Sequence, residues 1–291
     1  MTVTIATAPI NWHNDADPSG NRPPSYPAIL DDMIAAGYRA TEWSASLPGF
    51  VPALRRDLDE RGLTITAAYL PVSLHDERWH EPMVTQALER ARFLARLGAT
   101  HLVLGEAGDD ARSRVAGRVG PDHGLSGSAF ATLAAGLEAI GRALLGEGVR
   151  PVFHPHVATY VETQGETLRL AAAVDAELVG FCLDTGHAVY GGADARALLA
   201  ALGERVEYVH LKDVDGDVLA EARREGLTFV EALARVVFCD LGRGVAAVDA
   251  FIGDLEARAF GGVVVLEQDT SWDPPTSVRH ARAHVRQVAG W

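Results

Sequence analysis

The sequence predicts a (β/α)8 TIM barrel, with residues 1–291 forming a single domain. Three observations carry that expectation. Short apolar runs alternate along the whole chain with alanine- and leucine-rich segments of helical spacing, the pattern of parallel strands joined by crossover helices. The alternation supplies eight strand-then-helix units in 291 residues, the number and length that close a barrel. The first apolar run leads into APINWHND, whereas a doubly wound open sheet usually places a glycine-rich phosphate loop there.

The strands are expected, in order, at TVTIATAPI (2–10), YRATEW (38–43), TITAAYL (64–70) and THLVLG (100–105). Four more follow at RPVFHPH (150–156), LVGFCLD (178–184), VEYVHLK (206–212) and GVVVLEQ (262–268). Their β-branched and aromatic residues favour extended backbone. SAFATLAAGLEAIGRALL (128–145) shows the helical spacing of the connecting segments. AAGY, ARLGAT and LGERVEY each place a glycine shortly before the next strand, which is a helix-stop signal. Two connections are longer than the rest. One is GEAGDDARSRVAGRVGPDHGLSG (105–127), after the fourth strand, and the other, after the seventh, contains an extra helix within DVLAEARREGLTFVEALARVVF (217–238). Long loops at the C-terminal ends of barrel strands are where substrates are usually enclosed.

Hydrophobic residues make up 48% of the chain, enough for a sizeable core, and the formal net charge of −13 argues against nucleic acid or anionic membrane as a partner. Only two cysteines occur, Cys182 and Cys239, so a disulfide framework is not expected and a reducing cytoplasm is. No apolar run reaches the roughly 18 residues of a membrane span, and no charged-then-apolar leader opens the chain.

Titratable residues cluster where the strands should end. Glu42 closes the second strand, Glu106 the fourth, His154 and His156 the fifth, and Asp184 the sixth, with His187 just beyond. His210 lies near the end of the seventh and Glu267 near the end of the eighth. Burying carboxylates beside imidazoles is costly unless a cation compensates them. A mixed set of Asp184, His210, Glu267 and His154 suits Mn²⁺, Co²⁺ or Zn²⁺, and Mg²⁺ less well because of the two imidazoles. Plainer readings stand beside this one. A lone strand-end histidine is more often a hydrogen-bonded structural residue, and His101, inside the fourth strand, is assigned that role. Asp184 and Glu267 could be helix caps, Lys212 a solvated lysine and Glu42 a salt-bridged carboxylate. Cys182, among apolar neighbours, belongs to the core.

LDTGH (183–187), VHLKD (209–213) and VLEQD (265–269) resemble the signals of the xylose isomerase-like barrel superfamily of sugar isomerases and epimerases. A narrower resemblance, to the inosose dehydratase (2-keto-myo-inositol dehydratase) family, covers most of the chain. It rests on IATAPINWHND (5–15), AAGYRATEW (35–43), FHPHVATYVET (153–163) and the insert at 217–238. One segment departs: CDLGRG (239–244) replaces a valine-proline-glycine-acid-glycine pattern and puts Arg243 where an acidic residue is common.

The resemblance implies that Asp184, His210 and Glu267 are metal ligands, with His154 at the position of the usual fourth ligand, a glutamate on strand five. In keto-sugar 3-epimerases the glutamates on strands five and eight are opposed acid/base groups, and a histidine at one of them removes that symmetry. A dehydratase does not need it. The implied reaction is dehydration of 2-keto-myo-inositol or a similar cyclic polyol ketone through an enediolate, in inositol catabolism. Glu267 is the expected base; His187, Lys212 and Glu106 are candidates for acid or substrate-binding roles. Glu42, His156 and Trp12 are expected to contact substrate. Mn²⁺ or Co²⁺ is the favoured cofactor, with Zn²⁺ or Mg²⁺ as alternatives. The runner-up is a metal-dependent isomerase or epimerase of a free keto sugar, and a third reading is a catalytically dead regulatory barrel. The expected partner is a small polyol, with association into a homo-oligomer left open.

Overall fold

The structure is a computed structural model that describes residues 3–14 and 23–291. Eight parallel strands close into a barrel: β1 (Thr4–Thr7), β2 (Ala40–Trp43), β3 (Thr64–Val72), β4 (His101–Glu106), β5 (Arg150–Phe153), β6 (Gly180–Asp184), β7 (Val206–Leu211) and β10 (Val263–Leu266). Around the barrel they run in the order β1-β10-β7-β6-β5-β4-β3-β2. A separate antiparallel pair, β8 (Asp213–Val214) with β9 (Phe238–Cys239), is a feature the sequence reading did not anticipate.

By contact the chain forms two compact units, residues 1–66 with 209–291 and residues 67–208. In the first, β1 pairs with β10 from Thr4↔Val263 to Thr7↔Leu266, and Ile29, Leu30, Met33, Leu54, Phe251 and Ile252 are buried on the helices. The buried Tyr38 donates its hydroxyl to the carbonyl of Val278 at 3.0 Å. In the second, β4 carries Leu102, Val103 and Leu104 beside Val152 and Phe153 of β5, all buried. The helix Gly127–Leu144 starts where Ser126 accepts a hydrogen bond from the amide of Ala129, and it buries Phe130, Leu133, Leu137, Ile140 and Leu144 at helical spacing. Each such fully buried side chain contributes about 1.5–3 kcal/mol relative to exposure.

Several strand boundaries differ from the expected ones, each for a local reason. The first strand stops at Thr7, because Pro9 opens a 3-10 turn, Pro9–Asn11; residue 2 of the expected strand lies outside the described residues. The fifth stops at Phe153: Pro155 has no amide to give a ladder, so His154 and His156 sit in the loop just beyond. The eighth stops at Leu266, which leaves Glu267 in the first position after it. The third runs on through Pro71 to Val72, paired with Gly105 and Glu106. The single helix expected in 217–238 is two, Gly216–Glu225 and Phe229–Leu233. Gly226, at φ +70°, ends the first in the left-handed region, and Thr228 with Glu231 caps the second.

Candidate active site and metal centre

In a parallel barrel the C-terminal ends of the strands share one face, so a polar residue that ends an apolar strand is placed where a substrate can reach it. In the unit formed by residues 1–66 and 209–291, Glu42 on β2, His210 on β7 and Glu267 after β10 come together. His210 Nε2 lies 3.0 Å from Glu42 Oε1, and His210 Nδ1 lies 3.1 Å from Glu267 Oε2. Lys212, only 2% exposed, sets its ammonium 3.1 Å from Glu267 Oε2 and 2.6 Å from Asp269 Oδ1, and 4.9 Å from the centre of the Phe238 ring. The solvated lysine considered from the sequence is therefore a buried one.

This cluster tests whether the site suits a cation. Three buried carboxylates, Glu42, Glu267 and Asp269, face one lysine and one imidazole. The five residues together remain anionic even with His210 charged, and buried net charge is expensive without a counter-ion. Glu42, His210 and Glu267 also each offer a donor atom within 4.8 Å of one another. The donor set fits a divalent metal.

In the unit of residues 67–208, His154 and Asp184 approach to 3.8 Å, Nε2 to Oδ2. The His154 ring is fixed by its other nitrogen. Nδ1 donates to the carbonyl of Pro155 at 2.8 Å, and because a carbonyl can only accept, the lone pair is on Nε2. Asp184 ends β6 and caps the helix Thr185–Tyr190, its Oδ1 accepting from the amide of His187 at 2.8 Å, as the cap reading expected. His156 donates Nδ1–H to the carbonyl of Val157 at 2.7 Å, which leaves Nε2 as its acceptor. His187 is the opposite tautomer: Nδ1 accepts from the amide of Val157 at 3.4 Å, so the neutral ring carries its proton on Nε2. The two rings are tilted by 35° with centroids 3.8 Å apart.

Glu106 is fully buried at the end of β4 and takes a 2.7 Å hydrogen bond on Oε1 from Nδ1 of His75, while its Oε2 is buried without a partner. Burial pushes the Glu106 carboxyl above the usual carboxylate range, and the bond from His75 opposes that rise. Trp12 is buried with its indole N–H spent on Asp32 at 3.1 Å, so only its ring face is left for a substrate. Burial lowers His101, which hydrogen-bonds through Nδ1 with Thr100 at 2.9 Å and packs beside Tyr208, as its structural assignment requires. Cys182 is buried in β6, in the core where it was expected.

Three residues of the site were not singled out in the sequence. His75 is one. Asn11 is another: its side-chain amide bonds Thr7 Oγ1 and the carbonyl of Leu266, and its oxygen accepts from the amide of Gln268 at 2.7 Å, which holds the chain on both sides of Glu267. Asp213 is the third. Its carboxylate accepts from the amides of Gly242, Gly244 and Ala246, each at 2.9 Å, and so pins the segment that carries Arg243. Arg243 itself pairs with Asp240 at 3.3 Å and is largely exposed. VHLKD and PINW contain two of these three, so the signal was present in segments already noted.

Carboxylates and imidazoles gathered at the strand ends of a parallel barrel define a class, the TIM-barrel enzymes, here with a candidate metal site. The chain belongs to the xylose isomerase-like TIM barrel family, whose model matches residues 30–288. It is 32% identical over 267 residues to the inosose dehydratase of Geobacillus kaustophilus, covering 91% of this chain and 87% of the relative. It is 27% identical over 293 residues to the inosose dehydratase of Clostridium beijerinckii, covering 99% and 98%. Among solved structures, the IOLI protein with a bound zinc atom superposes with a TM-score of 0.75 at 15% identity, covering 99% and 98% of the two chains; this likeness is one of fold.

Proposed function

We propose that the protein is a divalent-metal-dependent dehydratase of a cyclic polyol ketone, 2-keto-myo-inositol or a close analogue, acting in inositol catabolism. One observation carries the reading. His154, Asp184, His210 and Glu267 follow or end β5, β6, β7 and β10, which are consecutive in the barrel, and the chain resembles inosose dehydratases over nearly its whole length. Those four residues would hold the ion, with Mn²⁺ or Co²⁺ favoured over Zn²⁺ and Mg²⁺ for a mixed imidazole and carboxylate set. A bound divalent ion polarises the ketone and stabilises the negative charge that develops on its oxygen.

The chain's own residues supply the rest. Glu267, oriented by His210 and Lys212, takes the proton from the carbon next to the ketone and leaves an enediolate. Lys212, held between Glu267 and Asp269, orients rather than reacts. His156 accepts from, and His187 donates to, the ring hydroxyls of the substrate. Glu42, bonded to His210, sets that ligand's ring and borders the substrate with the face of Trp12. Both boundaries between the compact units fall at strands, within β3 and within β7, and this supports reading the chain as one domain. Among the described residues no helix is long and apolar enough to cross a membrane. A cytoplasmic enzyme, alone or as a homo-oligomer, is the reading we adopt.

The test is mass spectrometry of 2-keto-myo-inositol incubated with Mn²⁺- or Co²⁺-loaded protein, beside an Asp184→Ala control. Metal-dependent loss of one water, absent in the control, is expected. A new isomer without loss of mass, from a panel of keto sugars, would move the assignment to an epimerase.

A further inference from the structure

A dehydration by elimination needs two proton carriers, one to take the α-proton and one to give a proton to the departing hydroxyl. Glu267 serves as the first. Outside the ligand set, β3, β4 and β5, which are neighbours in the barrel, hold a pair suited to the second. His75 follows β3, and its side chain is 30% exposed. Glu106, the last residue of β4, is 0% exposed and accepts the His75 Nδ1 proton at 2.7 Å. The pair shares a wall with the histidine segment after β5. The ring of Tyr160, from that segment, lies 5.1 Å from the ring of His75, and its hydroxyl donates to Asp109 at 2.6 Å. Tyr69 of β3 in turn sits 6.2 Å, ring to ring, from both His154 and His156.

A buried carboxylate behind a partly open imidazole is an arrangement that orients the ring and leaves the outer nitrogen to exchange a proton. We infer that His75 is the general acid of the elimination and that Glu106 is the residue that positions it, an inference that rests on the dehydratase reading. The step requires a proton on both ring nitrogens of His75, the one on Nδ1 toward Glu106 and the other on Nε2 toward the leaving hydroxyl. The enediolate electron pair forms the new C=C bond, the C–O bond to the β-hydroxyl breaks, and that oxygen leaves as water with the Nε2 proton. The proton that Glu267 took from the α-carbon returns to His75 through solvent, so one water is lost and no redox partner is needed.

The experiment follows 2-keto-myo-inositol in D₂O with metal-loaded wild-type protein, His75→Gln and Glu106→Gln, reading exchange of the α-hydrogen and loss of water separately. For His75→Gln the expected result is water loss slowed about 10²- to 10⁴-fold, with α-exchange and bound metal retained. Glu106→Gln should shift the same split in the same direction. Water loss at the wild-type rate in His75→Gln would overturn the assignment, as would equal loss of exchange and elimination with metal still bound. Wild-type protein that never loses water, whether or not it exchanges the α-hydrogen, refutes the dehydratase reading and the acid with it, whereas wild-type protein that loses water while His75→Gln loses it equally fast refutes the acid alone. A second measurement needs no variant of His75. Nitrogen NMR of the wild-type protein should find the neutral His75 ring protonated on Nδ1, and that preference should weaken in Glu106→Gln. A ring protonated on Nε2 alone would sink the pairing.

Discussion

Lys212 shows how a single side chain can be committed by its surroundings. Its ammonium is buried between Glu267 and Asp269 and sits against the face of Phe238. Replacing it with methionine keeps the bulk but leaves two carboxylates facing each other in a buried site. Removing one member of a buried pair costs about 3–5 kcal/mol, so Lys212→Met should lower the unfolding free energy of the metal-free protein by that order, read by urea denaturation. A change under about 0.5 kcal/mol, the size expected of a surface position, would show that the lysine is not held as described. Glu106 gives the residue scale its pH prediction. Its carboxyl is raised in the folded protein by burial, so the native state holds this proton more tightly than the unfolded chain does. The sign follows from linkage. Stability contributed by the protonated carboxyl is present at low pH and falls as pH rises from the ordinary glutamate value through the raised one. Glu106→Gln, which can still accept from His75, should therefore gain on the wild type as pH increases over that window. Parallel unfolding curves for the two proteins across the window would contradict a carboxyl raised by burial.

At the scale of elements, the loops after β4 and β5 are joined into one wall. Arg112, 1% exposed on the short helix Asp110–Arg114, makes two hydrogen bonds to the carboxylate of Glu166, at 2.9 and 3.0 Å, and stands 3.8 Å from Glu162. Glu162 accepts from the amide of Gly117 in one loop and of Ala158 in the other, and Ala158 is held at a left-handed φ of +66° that a non-glycine residue adopts at a cost of about 1–2 kcal/mol. Arg112→Leu should raise amide hydrogen exchange in 109–118 and 156–163 together; protection lost in only one of the two would show that they open independently. The sequence made the strands legible because their β-branched runs are long enough to be buried on both faces. The site was legible wherever a titratable residue ended such a run, as with Asp184, His210 and Glu267. His75 escaped because the third strand, expected to end at residue 70, runs on to Val72, so the residues that follow its end were not read as strand-end residues. In the structure Pro71 stays in register opposite Gly105, where any side chain would collide with the ring of Tyr69. Long-range bonds such as those of Asp213 to the amides of Gly242, Gly244 and Ala246 have no local periodicity and leave no mark in the pattern of apolar residues.

For the whole molecule, the same strand ends that make the chemistry available concentrate negative charge in a chain whose net charge is already −13. Folding must therefore bring Glu42, Asp184, Glu267 and Asp269 out of water, and all four are buried. Closing the barrel with those groups in place is easier when a cation is present, because an ion that binds the native state and not the unfolded chain stabilises it by mass action. At a free concentration a hundred times Kd the gain is about 2.7 kcal/mol. Dialysis against a chelator should accordingly lower the Tm, and adding Mn²⁺ or Co²⁺ should restore it in proportion to the logarithm of the ion concentration. Asp184→Ala and His210→Ala should lose the response, whereas Glu106→Gln, outside the ligand set, should keep it. The comparison separates a specific site from general screening of an acidic protein, since screening by added salt would raise all four Tm values alike. A wild-type Tm unmoved between chelator and saturating Mn²⁺ or Co²⁺ would mean that these carboxylates tolerate burial by some other route, and the metal-dependent reading of the site would have to be given up.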